Sequence, residues 1–236
     1  MRMRKPRITP LLVGALALAV AASWPAPVSA QTPYVPYFGK NRVRYDRFQW
    51  SIYKTDHFEI YFYPETKPQL ERVAAYAESA YQHVSATLKH DLADKVPLII
   101  YKTESEFQEQ NVSGGELPEG VLAFAEPERN RMVLPIDEPS DRLYQLITHE
   151  LTHIFEFDII PRGIVGTGLP LWVDEGLADY MTGTWNALDL MSVRDVALTD
   201  EVPKMSHLEN QPLVSGRTPY ELGHATFEFI EARWGM

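Results

Sequence analysis

Two histidines one helical turn apart, in an otherwise apolar segment, constrain this fold more than any other feature. His149 and His153 are four residues apart, so on a helix their imidazoles lie one above the other. Apolar residues form another face of the same helix: Leu143, Ile147, Leu151 and Ile154. Such a helix is expected to be buried, and a buried polar group without a partner costs about 1–3 kcal/mol. The fold must therefore bring a shared partner to both imidazoles.

The residue after the first histidine suggests what that partner is. Glu150 completes an H-E-x-x-H motif, in which the two histidines bind zinc and the glutamate serves as general base. Glu150 lies about 100° around the helix from His149, beside a shared metal rather than aimed at it. A catalytic zinc also needs a third protein ligand and one open position. The chain has no cysteine, so this ligand must be a histidine or a carboxylate.

A second predicted helix, around Trp172–Tyr180, supplies candidates for the third ligand. Glu175 and Asp179 are four residues apart and face the same way. We predict Glu175 as the ligand, and Asp179 as the carboxylate that accepts the other ring N–H of a ligating histidine. Asp174 is the fallback ligand. It points about 100° away from Glu175 and has no carboxylate one turn later to orient a histidine.

The first 30 residues have the pattern of a secretion signal. A basic start (Arg2, Arg4, Lys5 and Arg7) precedes the apolar run Leu11–Ala22 and the small-residue cleavage site Val28–Ala30. We predict that residues 1–30 are a signal peptide and that the protein is periplasmic or secreted. The apolar run is shorter than the roughly 20 residues of a transmembrane helix. We therefore expect no stable membrane insertion after cleavage, with an uncleaved anchor as the less favoured alternative.

Composition narrows the possible functional classes and types of site further. The net charge is −10, and a strongly acidic exported chain is a poor candidate for nucleic-acid binding. The absence of cysteine excludes disulfides, thiolate metal sites and a lipid-modified cysteine anchor. Residues 31–49, rich in proline and aromatic residues, are predicted to form an extended arm. Residues 50–236 are predicted to form one domain, cut short at its C-terminus because the chain stops directly after a helix.

Hydrophobic periodicity predicts an α+β fold. The predicted strands are Trp50–Tyr63, Val96–Tyr101, Val121–Ala125 and Arg131–Ile136. The predicted helices are Glu65–Asp91, Glu104–Gln110, Ser140 to about Phe157, Pro170 to about Gly183, Asn186–Leu198 and Thr218–Trp234. We expect Val121–Ala125 to be an exposed sheet edge, where an extended peptide could pair through its main chain.

These motifs resemble the gluzincins, the thermolysin-like zinc peptidases. Metzincins are excluded because Glu156 and Ile159 stand where they need glycine and a third histidine. The segments Pro36–Asn41, Thr55–Phe58, His149–Phe157 and Leu171–Tyr180 resemble bacterial peptidase MA-like domains, which often precede WD40-like β-propellers of the Tol type. The resemblance implies a thermolysin-like fold, with the active site between a small mixed sheet with an edge strand and a helical lobe. It also implies a propeller after Met236 in the parent protein.

The leading functional prediction is a zinc metallopeptidase that binds one zinc ion through His149, His153 and Glu175. Its substrate would be a peptide or protein, attacked by a water whose proton Glu150 accepts. The resemblance makes Tyr220 the candidate donor to the oxyanion, with His224 as the alternative. Two other hypotheses are a non-catalytic, metal-stabilised interaction domain of a periplasmic assembly, and a zinc hydrolase acting on a non-peptide bond.

Overall fold

A computed structural model describes residues 48–109, 121–160, 169–199, 202–208 and 217–235. All of them belong to one compact unit, Tyr45–Met236. The predicted signal peptide and all but the last two residues of the predicted arm lie outside these ranges. None of the helices in the described ranges combines the length and apolar character that crossing a membrane requires.

Strands and helices are interspersed up to Pro135, about half-way along the domain, and only helices follow among the described residues. The strands are β1 (Ser51–Lys54), β2 (Phe58–Phe62), β3 (Val96–Tyr101), β4 (Phe124–Glu126) and β5 (Arg131–Pro135). The helices are α1 (Leu70–Leu88), α2 (Glu104–Gln108), α3 (Ser140–Ile159), α4 (Leu171–Met181), α5 (Ala187–Thr199) and α6 (Thr218–Trp234). Single 3-10 turns occupy Lys67–Gln69 and Met205–His207. The α+β prediction is confirmed.

The five strands form one mixed sheet in the order β1-β2-β3-β5-β4. The inner pairs β2/β3 and β3/β5 are parallel, while β1 and β4 pair antiparallel with their neighbours. The parallel connection from β2 to β3 runs through α1, as a crossover requires. Among the described strands β4 lies at an edge of the sheet, as predicted for Val121–Ala125, although the strand itself covers only Phe124–Glu126.

The single strand predicted for Trp50–Tyr63 is wrong, because a tight turn divides it into β1 and β2. In this turn the Thr55 N–H donates to the Phe58 carbonyl at 3.0 Å, and the Phe58 N–H donates to the Thr55 hydroxyl at 3.1 Å. The intervening His57 is held from α1 by the Glu78 carboxylate, 2.9 Å from its N–H and 2.6 Å from its ring Nδ1. Because this anchor is a long-range contact, alternation of residue types does not reveal the turn.

The core lies between the sheet and helices α1 and α3. Strand residues such as Ile60, Leu98 and Leu134 are fully buried, and Leu151 and Phe155 of α3 are buried with them. Helix α1 presents its apolar stripe to the same cluster and ends at Leu88, because Lys89 adopts a left-handed conformation with φ 52°. The histidine helix is thus fixed against the sheet by its apolar face, which directs the opposite face towards α4.

Helices α4 and α6 cross with their backbones in direct contact. A Cβ atom on Gly176 would lie 2.5 Å from Cα of Gly223, and one on Gly223 would lie 2.1 Å from the carbonyl oxygen of Trp172. Neither atom can be accommodated, so only glycine fits at either position. This close approach places the first turns of α6 beside the part of α4 that carries Glu175.

Candidate metal centre

Three side chains from two helices converge on one point. The Nε2 atoms of His149 and His153 are 3.3 Å apart on α3. From α4, Oε2 of Glu175 lies 3.3 Å from Nε2 of His149 and 3.4 Å from Nε2 of His153. The structure thus brings together the three residues that the sequence predicted as ligands, and their atoms form a nearly equilateral triangle that can hold a metal ion.

The size of this triangle fits a small divalent cation. In a tetrahedral site two ligand atoms are separated by about 1.63 times the bond length, or about 3.3–3.4 Å for metal–nitrogen and metal–oxygen bonds of about 2.0–2.1 Å. The three observed separations fall in that range. With three protein ligands, a tetrahedral ion keeps a fourth position, as catalytic sites require.

A carboxylate holds His149 in the orientation that coordination requires. Oδ1 of Asp179 lies 2.9 Å from Nδ1 of His149, which leaves Nε2 for a metal. The other oxygen of Asp179 accepts from the Arg217 guanidinium, at the start of α6. The structure therefore places Asp179 in the orienting role expected from its spacing to Glu175.

His153 is oriented by two carboxyl groups, one of which sequence reasoning missed. Oε2 of Glu156 lies 2.8 Å from Nδ1 of His153, and Oδ1 of Asp174 lies 3.2 Å from the same nitrogen. Asp174 therefore faces the ring nitrogen that is turned away from the triangle, not the ligand position considered for it. The i, i+3 spacing of Glu156 from His153, on a helix expected to be buried, was the available clue.

Glu156 and Asp174 form a second compact group with His153. A bound proton, rather than a second metal ion, can balance the negative charge of its two carboxyl groups. Burial raises the pKa of Glu156 to about 8, despite the opposing hydrogen bond to His153. Near pH 7 the Glu156 carboxyl is therefore mostly protonated and neutral. We assign this pair to positioning of His153, because a proton shared near two carboxyl groups removes the need for a second cation.

The electrostatics of the triangle favour a positive charge. Burial alone would lower the pKa of His149, but hydrogen bonds to Asp179 and Glu175 raise it to about 9. The pKa of His153 is likewise raised well above its ordinary value by its three carboxyl neighbours. Burial would raise the pKa of Glu175, yet the two imidazoles hold it far below its usual range. Without a metal, protons supply the positive charge that this site stabilises.

Glu150 is buried beside the triangle and faces the sheet edge. Its side chain lines the cleft, although the residue is only 6% exposed. Burial raises the pKa of its carboxyl, while the nearby histidines and a backbone hydrogen bond from Ala125 oppose that rise. A carboxylate with a raised pKa, next to a metal position and open to a cleft, is suited to accept a proton from water.

Helix α6 brings two further polar side chains to the cleft. The Tyr220 ring lies parallel to that of His149, with centroids 6.4 Å apart. Burial, the charge of Glu175 and a hydrogen bond to it raise the Tyr220 pKa, which keeps the phenol protonated. One turn later, His224 stacks on Trp185 with centroids 3.9 Å apart, and burial lowers its pKa. Tyr220 contacts the ligand set, whereas His224 contacts Trp185, Tyr180 and Glu228.

A cleft of about 640 Å³ opens over these groups, and its two sides differ in character. The side next to the sheet edge is apolar and includes Val121, Leu122, Ala123 and Phe124, and helix α3 contributes the apolar residues Leu146 and Phe157. The side formed by α4, α5 and the segment between them is polar and includes Thr182, Thr184, Asn186 and Asp189. Edge strand β4 therefore borders the same cleft as the ligand triangle.

We expect the metal-free protein to lose stability as the pH rises from about 6.5 to 9. The folded-state pKa of His149 is raised to about 9, so its stabilising contribution is complete below its unfolded value of about 6.5 and is lost as the pH passes 9. The raised pKa of Glu156 acts in the same direction. Thermal melting of chelator-treated protein across this range tests the expectation. Added zinc should reduce the decline, because binding displaces the protons of the two histidines; equal melting temperatures of the chelator-treated protein at pH 6.5 and 9 would contradict the expectation.

Neither a protein-family model nor a curated protein matches this chain.

Proposed function

We propose that this protein is a zinc-dependent metallopeptidase of thermolysin-like fold. One observation carries the proposal: the triangle of His149, His153 and Glu175 has the edges of a tetrahedral zinc site, and the Glu150 carboxyl is buried beside it in an open cleft. A purely structural metal site needs no such carboxyl group, which weighs against the alternative of a non-catalytic, metal-stabilised interaction domain.

Zinc is the ion that best suits these donors. Two imidazole nitrogens and one carboxylate oxygen, with the remaining position open, make up a frequent ligand set of catalytic zinc. When bound, zinc acts as a Lewis acid that acidifies water and polarises a substrate carbonyl. Asp179 on one histidine, and Glu156 with Asp174 on the other, keep both Nε2 atoms directed at the ion.

The residues around the ion supply the proton transfers and the hydrogen bond to the oxyanion. Glu150 accepts the proton of the attacking water and later delivers it to the leaving amine. Tyr220, whose raised pKa keeps its hydroxyl protonated, donates to the oxyanion that develops on the substrate carbonyl. His224 is the alternative donor, one turn further along α6.

The sheet edge favours a peptide over other hydrolysable substrates. Among the described residues, strand β4 pairs only with β5, and Phe124 and Ala125 line the cleft. Main-chain groups on such an edge can hold an extended peptide in register across the metal, although the Ala125 N–H also donates to Glu150. The chain order of edge strand, inner strand, histidine helix and glutamate helix also supports the thermolysin-like proposal. Export to the periplasm or medium, and a following β-propeller, remain predictions from the sequence.

The test combines metal analysis with cleavage of a broad peptide library. We expect about one zinc per chain, cleavage that a chelator abolishes, and recovery when zinc is returned. Glu175→Ala should lose both zinc and activity, because only two ligands remain, whereas the matched change Glu71→Ala on the exposed face of α1 should lose neither. Full zinc occupancy with no cleavage of any library peptide would favour the interaction domain or a non-peptide substrate.

A further inference from the structure

We propose that Arg142 forms a subsite for a substrate carboxylate about three residues from the scissile bond. This inference rests on the peptidase function proposed above and specifies the substrates of the same cleft. The carboxylate could belong to an aspartate or glutamate side chain or to the C-terminus of the peptide, and the experiment below separates the two.

Position on α3 aligns Arg142 with the metal site. Arg142 precedes His149 by seven residues, which is two helical turns with an offset of only about 20° and an axial distance of about 10.5 Å. Both residues line the same cleft, and so do Gln145 and Leu146, which lie between them on α3. An extended peptide advances about 3.3 Å per residue, so it covers this distance in about three residues.

The two arginines of the cleft differ in whether a carboxylate already pairs with them. Arg217 is already engaged, by Asp179 and by Asp189 at 3.4 Å. Arg142 is exposed, and no carboxylate of the described residues forms an ion pair with it. The side-chain amide of Gln145 already donates to the Thr184 hydroxyl at 2.7 Å. Arg142 is therefore the side chain at this end of the cleft that can bind a substrate carboxylate. Glu138 also lines the cleft at this end and should moderate the preference rather than remove it.

The expected effect is a selectivity of moderate size. An exposed ion pair contributes little, so glutamate should be preferred over the isosteric glutamine by about 1.5-fold to fivefold in kcat/KM. The preference should shrink at high salt, because exposed charges are screened. It should not depend on ionisation of the arginine, which stays charged at all working pH values.

The experiment scans a cleavable peptide with glutamate or glutamine at each of three positions on either side of the scissile bond, with amidated and free C-termini. We expect glutamate to be preferred at one position about three residues from the bond. Arg142→Gln should abolish this preference and Arg142→Glu should reverse it, while Arg194→Glu, on the exposed face of α5, should change nothing. A preference that needs the free C-terminus identifies the terminal carboxylate as the ligand.

A binding measurement separates this proposal from the proposed function. Fluorescence anisotropy with the Glu150→Gln variant compares the affinities of the same peptides without any cleavage. If no variant cleaves peptides but the glutamate preference in binding disappears with Arg142→Gln, the peptidase function fails and the subsite stands. An unchanged preference in Arg142→Glu, or no peptide binding at all, overturns the subsite.

Discussion

Glu150→Gln should leave the metal in place and reduce peptide cleavage by about 10²–10⁴-fold, the usual contribution of a general base. The substitution keeps the shape of the side chain but removes its ability to accept a proton. Because Glu150 is not a corner of the ligand triangle, His149, His153 and Glu175 should still hold one zinc. Zinc content per chain, together with kcat/KM on the best library peptide, gives both readouts.

A matched change at the cleft mouth controls for charge. Glu138→Gln removes the same charge from the same cleft without touching the triangle, and it should retain most of the activity. Loss of zinc from Glu150→Gln would show that this carboxyl serves as a ligand instead. Cleavage within about twofold of the parent would show that another group takes the proton.

Gly223→Ala should lower the melting temperature by about 10 °C, although helix propensity alone predicts the opposite. Replacing glycine by alanine inside a helix favours the helix by about 1 kcal/mol. Here the added Cβ would lie 2.1 Å from the Trp172 carbonyl oxygen and 2.7 Å from Cα of Gly176, both of them backbone atoms. Helices α4 and α6 must separate, at a cost of about 3 kcal/mol or more, which corresponds to a shift of this size.

The matched control lies two residues further along the same helix. Ala225→Gly removes about 1 kcal/mol of helix propensity without creating a clash, so it should lower the melting temperature by only a few degrees. In Gly223→Ala the residual folded protein should also show reduced cleavage, because Tyr220 moves away from Glu175. A melting temperature at or above that of the parent would contradict the close crossing of the two helices.

Local patterns were sufficient to predict the ligand triangle. The spacing of His149 and His153 requires only a helix, and the absence of cysteine limits the third ligand to histidine or carboxylate. The helix Thr218–Trp234 was predicted with its observed bounds, since Pro219 and Gly235 mark its ends. Such features depend on neighbours within one or two turns, where periodicity and capping rules apply.

Long-range contacts account for what sequence reasoning missed. The turn between β1 and β2 depends on Glu78, which is 21 residues from His57. The pairing of Glu156 with Asp174 across His153 depends on how α4 docks against α3, and no helical pattern encodes that angle. For the same reason Asp174 was considered as a ligand, whereas it contacts the opposite nitrogen of the imidazole.

Because the ligands lie on two separate helices, the supply of metal should affect the stability of the fold as well as the activity. Two corners of the triangle belong to α3 and the third belongs to α4, so a bound ion acts as a reversible cross-link between segments 22 residues apart in the chain, counted from His153 to Glu175. If the protein is the zinc peptidase proposed above, scarcity of zinc would silence it and would also expose it to degradation by neighbouring proteases. Its lifetime, and not only its turnover, would follow the metal content of its surroundings.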